Sequence, residues 1–259
     1  MFLKKSKKHI IKKRNFFGVI VLKIYSRIEF IAVLLVAIVG VALISESIMP
    51  ISKLASAKAE TSKKIILDAG HGGFDGGAVA NDGTVEKDIN LAISRSLYCL
   101  LKNSGYEVIM TRSSDSSTDD TDSDKISNRK KSDLKNRLKL MNDNPDAVFV
   151  SVHLNKFATS TAEGSQVFYG RKNDNSHILS NKIQESIVKL IQHENQRVCK
   201  QANSSTYLLY NAEIPAVIVE CGFLSNSKEL ELLKSREYQN KMALCIFCGI
   251  NDYFKTKEL

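Results

Sequence analysis

The chain has 259 residues, 43% apolar and 25% charged, which suits one sizeable core or two small ones and excludes a wholly disordered chain. Its net charge of +9 does not indicate a nucleic-acid partner. Nine basic side chains and one acid, Glu29, fall within residues 1–29, so that arm carries +8 and the other 230 residues about +1, whereas nucleic-acid binding needs the charge on the folded domain.

After the basic arm (1–29) comes an uncharged apolar run of 15 residues, 30–44. Basic flank followed by apolar run, here the segment 30–45, is the arrangement of a segment that exports the chain downstream of it. The run is shorter than the roughly 20 residues that span a bilayer. Two A-x-A patterns, Ala55-Ser56-Ala57 and Ala57-Lys58-Ala59, stand downstream. A transmembrane anchor and a cleaved signal peptide therefore both remain open, and either leaves the rest of the chain outside the cytoplasm. Residues 46–63, small and polar with Pro50, read as a linker. The folded domain is expected over 64–256.

The first strand is the apolar run Ile65-Ile66-Leu67, which ends in a loop with five glycines between Gly70 and Gly77 and one imidazole, His71. Residues 85–103 carry apolar side chains at helical spacing, with Glu86 at the start and Gly105 as the stop. Residues 106–111 alternate as a second strand. The tract 113–124 contains only Ser, Thr and Asp and reads as a solvated loop. Its Asp120-x-Asp122-x-Asp124 start is not a calcium loop, because Lys125 and Lys131 stand where Gly and Glu are required.

A helix over 127–141 and a β-branched buried strand over 146–152 come next, the strand delivering His153 at its end. A further strand is expected at 164–169 and a helix at 176–193. Residues 197–210 suggest two short strands. The buried strand 216–219 delivers Glu220, and helices with Ser227 as N-cap fill 227–254. Strands alternating with helices predict a single three-layer α/β domain, a mostly parallel twisted sheet with helices on both faces, preceded by one N-terminal membrane or signal segment. Five cysteines without secreted-type spacing predict no disulfide framework; Cys245 and Cys248 read as small core groups.

In such sheets ligands collect at the carboxyl ends of the strands, where His71, His153 and Glu220 fall. A catalytic zinc takes three protein ligands from His and carboxylates and leaves a position for water. His71, Glu86 and His153 suit those ligands, and Glu220 suits a general base that passes the water's proton to a leaving nitrogen. Each has a plain structural alternative: a turn filler for His71, a macrodipole-favoured first-turn acid for Glu86, a strand cap for His153, a buried ion pair for Glu220. A dinucleotide-binding loop is excluded, since Asp75 replaces the last Gly of G-x-G-x-x-G.

Five ordered blocks then carry a resemblance over residues 64–254: Leu67-Asp-Ala-Gly-His-Gly-Gly with Asp75 and Gly77-Ala78; Val85-Glu-Lys-Asp-Ile-Asn-Leu; Thr111-Arg112 with Leu134, Arg137 and Asn142; Val150-Ser-Val-His-Leu-Asn; and Pro215-Ala-Val-Ile-Val-Glu-Cys-Gly-Phe-Leu-Ser-Asn226. The chain resembles the zinc-dependent N-acetylmuramoyl-L-alanine amidases of the amidase-3 type, which cleave the amide between muramic acid and the stem peptide of peptidoglycan. The resemblance implies Zn2+ bound by His71, Glu86 and His153, catalysis by Glu220, and Asn155 near substrate. The layout is similar to the short germination-type amidases of spore-forming bacteria, which act on cortex peptidoglycan and help make muramic-δ-lactam. No wall-binding module is recognisable in these residues, so an accessory protein for activation or localisation is expected, beside peptidoglycan and the membrane as partners. The rival functions are an exported peptidoglycan-binding scaffold of the same fold and a zinc peptidase on another stem-peptide amide.

Overall fold

A computed structural model describes residues 63–121 and 123–257. The expected arm, apolar segment and nearly all of the linker lie outside the described residues. Among the described residues, no helix is long and apolar enough to cross a membrane.

The described residues form six strands: β1 (Lys64–Ala69), β2 (Glu107–Met110), β3 (Val148–Asn155), β4 (Gln166–Tyr169), β5 (Lys200–Gln201) and β6 (Ala216–Phe223). They form one sheet in the order β2-β1-β3-β6-β4-β5, parallel except where β4 runs antiparallel to β6. The six described helices are α1 (Glu86–Asn103), α2 (Ile126–Asn142), α3 (Asn175–Leu190), α4 (Tyr207–Asn211), α5 (Ser227–Lys234) and α6 (Arg236–Lys255).

The period of two divides the apolar strand residues between two cores. Ile65, Leu67, Val148, Val150, Val152, Val217 and Val219 face α1, α3 and α6, meeting Ile93, Leu97, Ile183, Ile187, Met242 and Ile246. Ile66, Phe149, Ala216 and Ile218 face the other way, onto Met141 of α2 and Leu208 and Leu209 of α4. Helices thus cover both faces, which is why the central strands read as continuous apolar runs.

Three local expectations are corrected. β3 and β6 run on past His153 and Glu220 to Asn155 and Phe223, because a register shift between His153 and Asn155 lets pairing continue. Residues 197–210 hold one two-residue strand and the short helix α4, whose Leu208 and Leu209 seal the second core. The N-cap of α5 is Asn226, not Ser227: its side chain accepts from Lys228 N and Glu229 N at 3.0 and 3.3 Å. All five cysteines are free, and Cys245 is buried as expected, whereas Cys248 is only half-buried.

Candidate metal centre

The second face of the sheet ends, toward the carboxyl ends of the parallel strands, in a row set by register: His153 opposite Glu220, and Glu220 opposite Gln166. His71 and Glu86 reach the same place from the β1–α1 connection. Its glycine-rich loop docks on the start of α1, with Glu86 N donating to Ala78 O at 2.9 Å and Lys87 N to Gly76 O at 3.1 Å. Two amides orphaned at the helix start are thereby satisfied, and Glu86 is fixed against the loop. Gly77 lies between them with φ +71°; a Cβ there would stand 2.6 Å from both Glu86 Oε2 and His71 Cδ2. No side chain fits between the two groups.

Donor atoms of His71, Glu86 and His153 lie within 4.8 Å of one another. His71 Nε2 stands 3.3 Å and His153 Nδ1 3.1 Å from the same oxygen, Glu86 Oε1. Glu86 is buried; Ala78 N donates to its Oε2 at 2.8 Å, while Leu154 N and Asn90 Nδ2 donate to Oε1 at 3.0 and 3.2 Å. These bonds set the carboxylate's direction independently of anything bound. On the far side of His71, Nδ1 is 2.9 Å from Asp75 Oδ2, and Lys130 Nζ is 2.8 Å from Asp75 Oδ1. A carboxylate on Nδ1 fixes the ring and turns Nε2 toward the centre. Two imidazoles and a buried carboxylate with converging lone pairs form a donor set that fits a tetrahedral divalent ion with a fourth position for water.

Glu220 is placed beside this centre with one oxygen, Oε2, buried and without a hydrogen-bond partner among the described residues. Burial pushes its carboxyl up to about 7; the Glu86 charge adds to the rise and the two imidazoles oppose it. Among the described residues Glu220 Oε2 meets no cation, so the buried ion pair that is the plain structural alternative is not seen there. Asn155 ends β3 two residues beyond His153, half-buried and on the same side of the strand, with its carbonyl accepting from Leu224 N at 2.8 Å.

Several supporting groups have no role that the sequence alone assigns. Asp75 stands four residues after His71, a spacing that could have marked it. Asp68 interrupts the apolar run of β1, and Arg137 lies on the apolar stripe of α2 formed by Leu134, Leu138 and Met141. Each is a charge where an apolar residue belongs, which is the signal of a buried pair.

Burial lowers the pKa of His71, but the hydrogen bonds it donates to Asp75 and Glu86 outweigh burial and raise it to about 9. In the metal-free protein this protonated ring contributes stability that is full below its ordinary 6.5 and is lost as pH rises through about 9. An incoming divalent ion must displace that proton. Its affinity is therefore expected to rise with pH, by up to about tenfold per unit between about pH 7 and 9. Competition titrations across that range measure the slope, and a flat profile would contradict the assignment of His71.

A family model described as Amidase_3, N-acetylmuramoyl-L-alanine amidase, matches residues 65–252. The chain is 35% identical over 197 residues to the germination-specific N-acetylmuramoyl-L-alanine amidase of Bacillus subtilis, covering 76% of this chain and 82% of that one. Its fold is similar to the CwlD amidase of Clostridioides difficile, solved in complex with the GerS lipoprotein, with TM-score 0.72, 43% identity, and coverage of 75% and 100%. The amidase AmiC2 of Nostoc punctiforme is also similar, with TM-score 0.65, 28% identity, and coverage of 74% and 97%.

Proposed function

The chain belongs to the Amidase_3 family of N-acetylmuramoyl-L-alanine amidases, and from that membership we propose a zinc-dependent hydrolysis in which His71, Glu86 and His153 hold the metal and Glu220 moves the proton. The enzyme is a peptidoglycan amidase that acts outside the cytoplasm. The bond it cuts joins N-acetylmuramic acid to the L-alanine of the stem peptide. The observation that carries the reading is the convergence of three metal-type donors beside a buried carboxylate whose Oε2 has no partner among the described residues.

Zinc, when bound there, supplies a Lewis acid that polarises the amide carbonyl and acidifies water. Asp75 accepts from His71 Nδ1–H and keeps that ring in the tautomer whose Nε2 faces the centre. Glu86 lends one negative charge and is held in place by two backbone amides and Asn90. Glu220, opposite His153 in register, accepts a proton from the attacking water and returns it to the leaving nitrogen. Its carboxyl, pushed up to about 7, is matched to both halves of that task. Asn155, beyond His153 on the same strand, serves as a substrate contact.

The germination-specific relative and the amidase solved with a lipoprotein support a finer reading. The substrate is spore-cortex peptidoglycan, the product leads to muramic-δ-lactam, and an exported accessory protein of the lipoprotein kind localises or activates the enzyme. Residues 30–45 export the domain, as anchor or as signal peptide.

The test is the metal content of the purified protein together with mass spectrometry of peptidoglycan fragments. About one zinc per chain is expected, with released stem peptides bearing a free N-terminal L-alanine, and both are lost on chelation and restored by added zinc. Cleavage within the stem peptide would instead support a zinc peptidase.

A further inference from the structure

The Ser/Asp-rich tract is a loop, but it is not simply solvated. Its first half lies across the outside of the loop that carries His71. We propose that Asp115, bridged by Lys87, is a positioning residue for the metal site: it clamps the His71 loop to the helix start that bears Glu86. The proposal rests on the metal reading above.

One ion pair takes up both backbone polar groups of Gly73. Asp115 Oδ1 accepts from Gly73 N at 2.8 Å, Lys87 Nζ donates to Gly73 O at 2.8 Å, and Lys87 Nζ meets Asp115 Oδ2 at 2.7 Å. Lys87 comes directly after Glu86, so the clamp joins the backbone beside one metal ligand to the backbone beside another. The tract also sits close to the neighbouring residue: a Cβ on Gly72 would lie 2.2 Å from Ser116 O. At its base, Arg112 donates to Ser114 O at 3.1 Å while its other nitrogens hold Ala69 O and Gly70 O at 2.8 and 3.0 Å. Farther along, Arg129 pairs with Asp119 and stacks over the Phe74 ring at 4.0 Å, which fixes the loop's outer turn.

His71 needs such support. Its φ of +62° lies in the left-handed region, which a non-glycine residue keeps only where its surroundings impose it. Asp115 is 52% exposed and belongs to neither core, so removing it acts on the loop and not on the fold.

The experiment compares the full-length protein with Asp115→Ala, Asp115→Asn and Lys87→Met. It reads zinc affinity by chelator competition, the visible spectrum of the cobalt-substituted site, and the melting temperature of the metal-free protein. Asp115→Ala is expected to raise the zinc Kd by about 10–100-fold and to alter the cobalt spectrum. The metal-free melting temperature should stay within about 2 °C of wild type. Asp115→Asn keeps an acceptor for Gly73 N and recovers part of the affinity. A zinc Kd within about twofold of wild type would overturn the proposal. So would a loss of affinity matched by a loss of metal-free stability with an unaltered cobalt spectrum. If wild type takes up no zinc, the metal reading fails separately, and amide hydrogen exchange over residues 70–77 decides the clamp: faster exchange in Asp115→Ala upholds it, and equal rates overturn it.

Discussion

Replacing Glu220 by Gln lowers kcat by about 10²–10⁴-fold and leaves the metal in place. The amide matches the carboxylate in size but cannot accept a proton from water and hand it on. Glu220 is not one of the three convergent donors, so metal stoichiometry should not change. Stability adds an independent check. Burial raises the Glu220 carboxyl from an ordinary 4.5 to about 7, so its contribution to folding is full at low pH and is lost as pH rises through about 7. Above that pH the wild type carries a buried charge that the Gln variant lacks. The metal-free variant is therefore expected to melt at or above the wild-type temperature at about pH 8, and below it the gap closes. Loss of metal together with loss of activity would instead make Glu220 a support for His153. Activity within about tenfold of wild type would remove it from proton transfer.

Arg137→Met carries the largest expected stability cost, about 3–5 kcal/mol, equivalent to roughly 6–20 °C in melting temperature for a domain of this size. Arg137 is buried at 3% exposure and pairs with Asp68, which has 1%. Its guanidinium also donates to His71 O at 2.8 Å and Ala69 O at 3.2 Å, and its Nε meets Asp133 Oδ2 at 2.7 Å. Methionine fills similar volume but removes the donor to His71 O, leaves Ala69 O only its bond from Arg112, and strips the buried Asp68 carboxylate of the Arg137 cation, leaving hydrogen bonds from Ser151 and Thr111.

The pH dependence discriminates this cause from a packing defect. In the wild type, burial tends to raise the Asp68 pKa, but the Arg137 charge and the two hydroxyls outweigh it and hold it below 3.8. That contribution is complete above about pH 4 and is lost as pH falls through the depressed value. Without Arg137, burial dominates and the carboxyl rises, so the variant's deficit is expected to be largest near neutrality and to shrink in acid. Denaturant unfolding at several pH values measures it. A deficit independent of pH would assign the loss to packing alone.

The fold was legible where the chain's own periodicity decides it. Apolar runs at 65–67, 146–152 and 216–219 marked the central strands, and the stripe from Ile89 to Leu101 marked α1, because burial on both sheet faces leaves that pattern along the chain. The same runs placed His71, His153 and Glu220 toward the carboxyl ends of strands by sequence alone, although β3 and β6 continue to Asn155 and Phe223. Residues 197–210 were not legible: a two-residue strand and a five-residue helix are too short to show a period, and their formation rests on Leu208 and Leu209 finding the second core. The Asn226 cap was missed by one residue for a related reason, since Asn and Ser both suit the position and only the chain's path into α5 selects between them.

By itself, the sequence singled out the residues proposed to carry the chemistry, a metal-type donor set and a carboxylate in an α/β chain, and suggested an export-type N-terminus. Only the tertiary structure decided how they meet. The register that sets His153 against Glu220, the burial that lifts the Glu220 carboxyl, the Asp68–Arg137 pair across 69 positions and the Asp115 clamp on Gly73 across 42 all join distant segments. A local pattern records the period and caps of its own element. It does not record which surface another element will present to it, and that surface sets burial, charge and direction at this site.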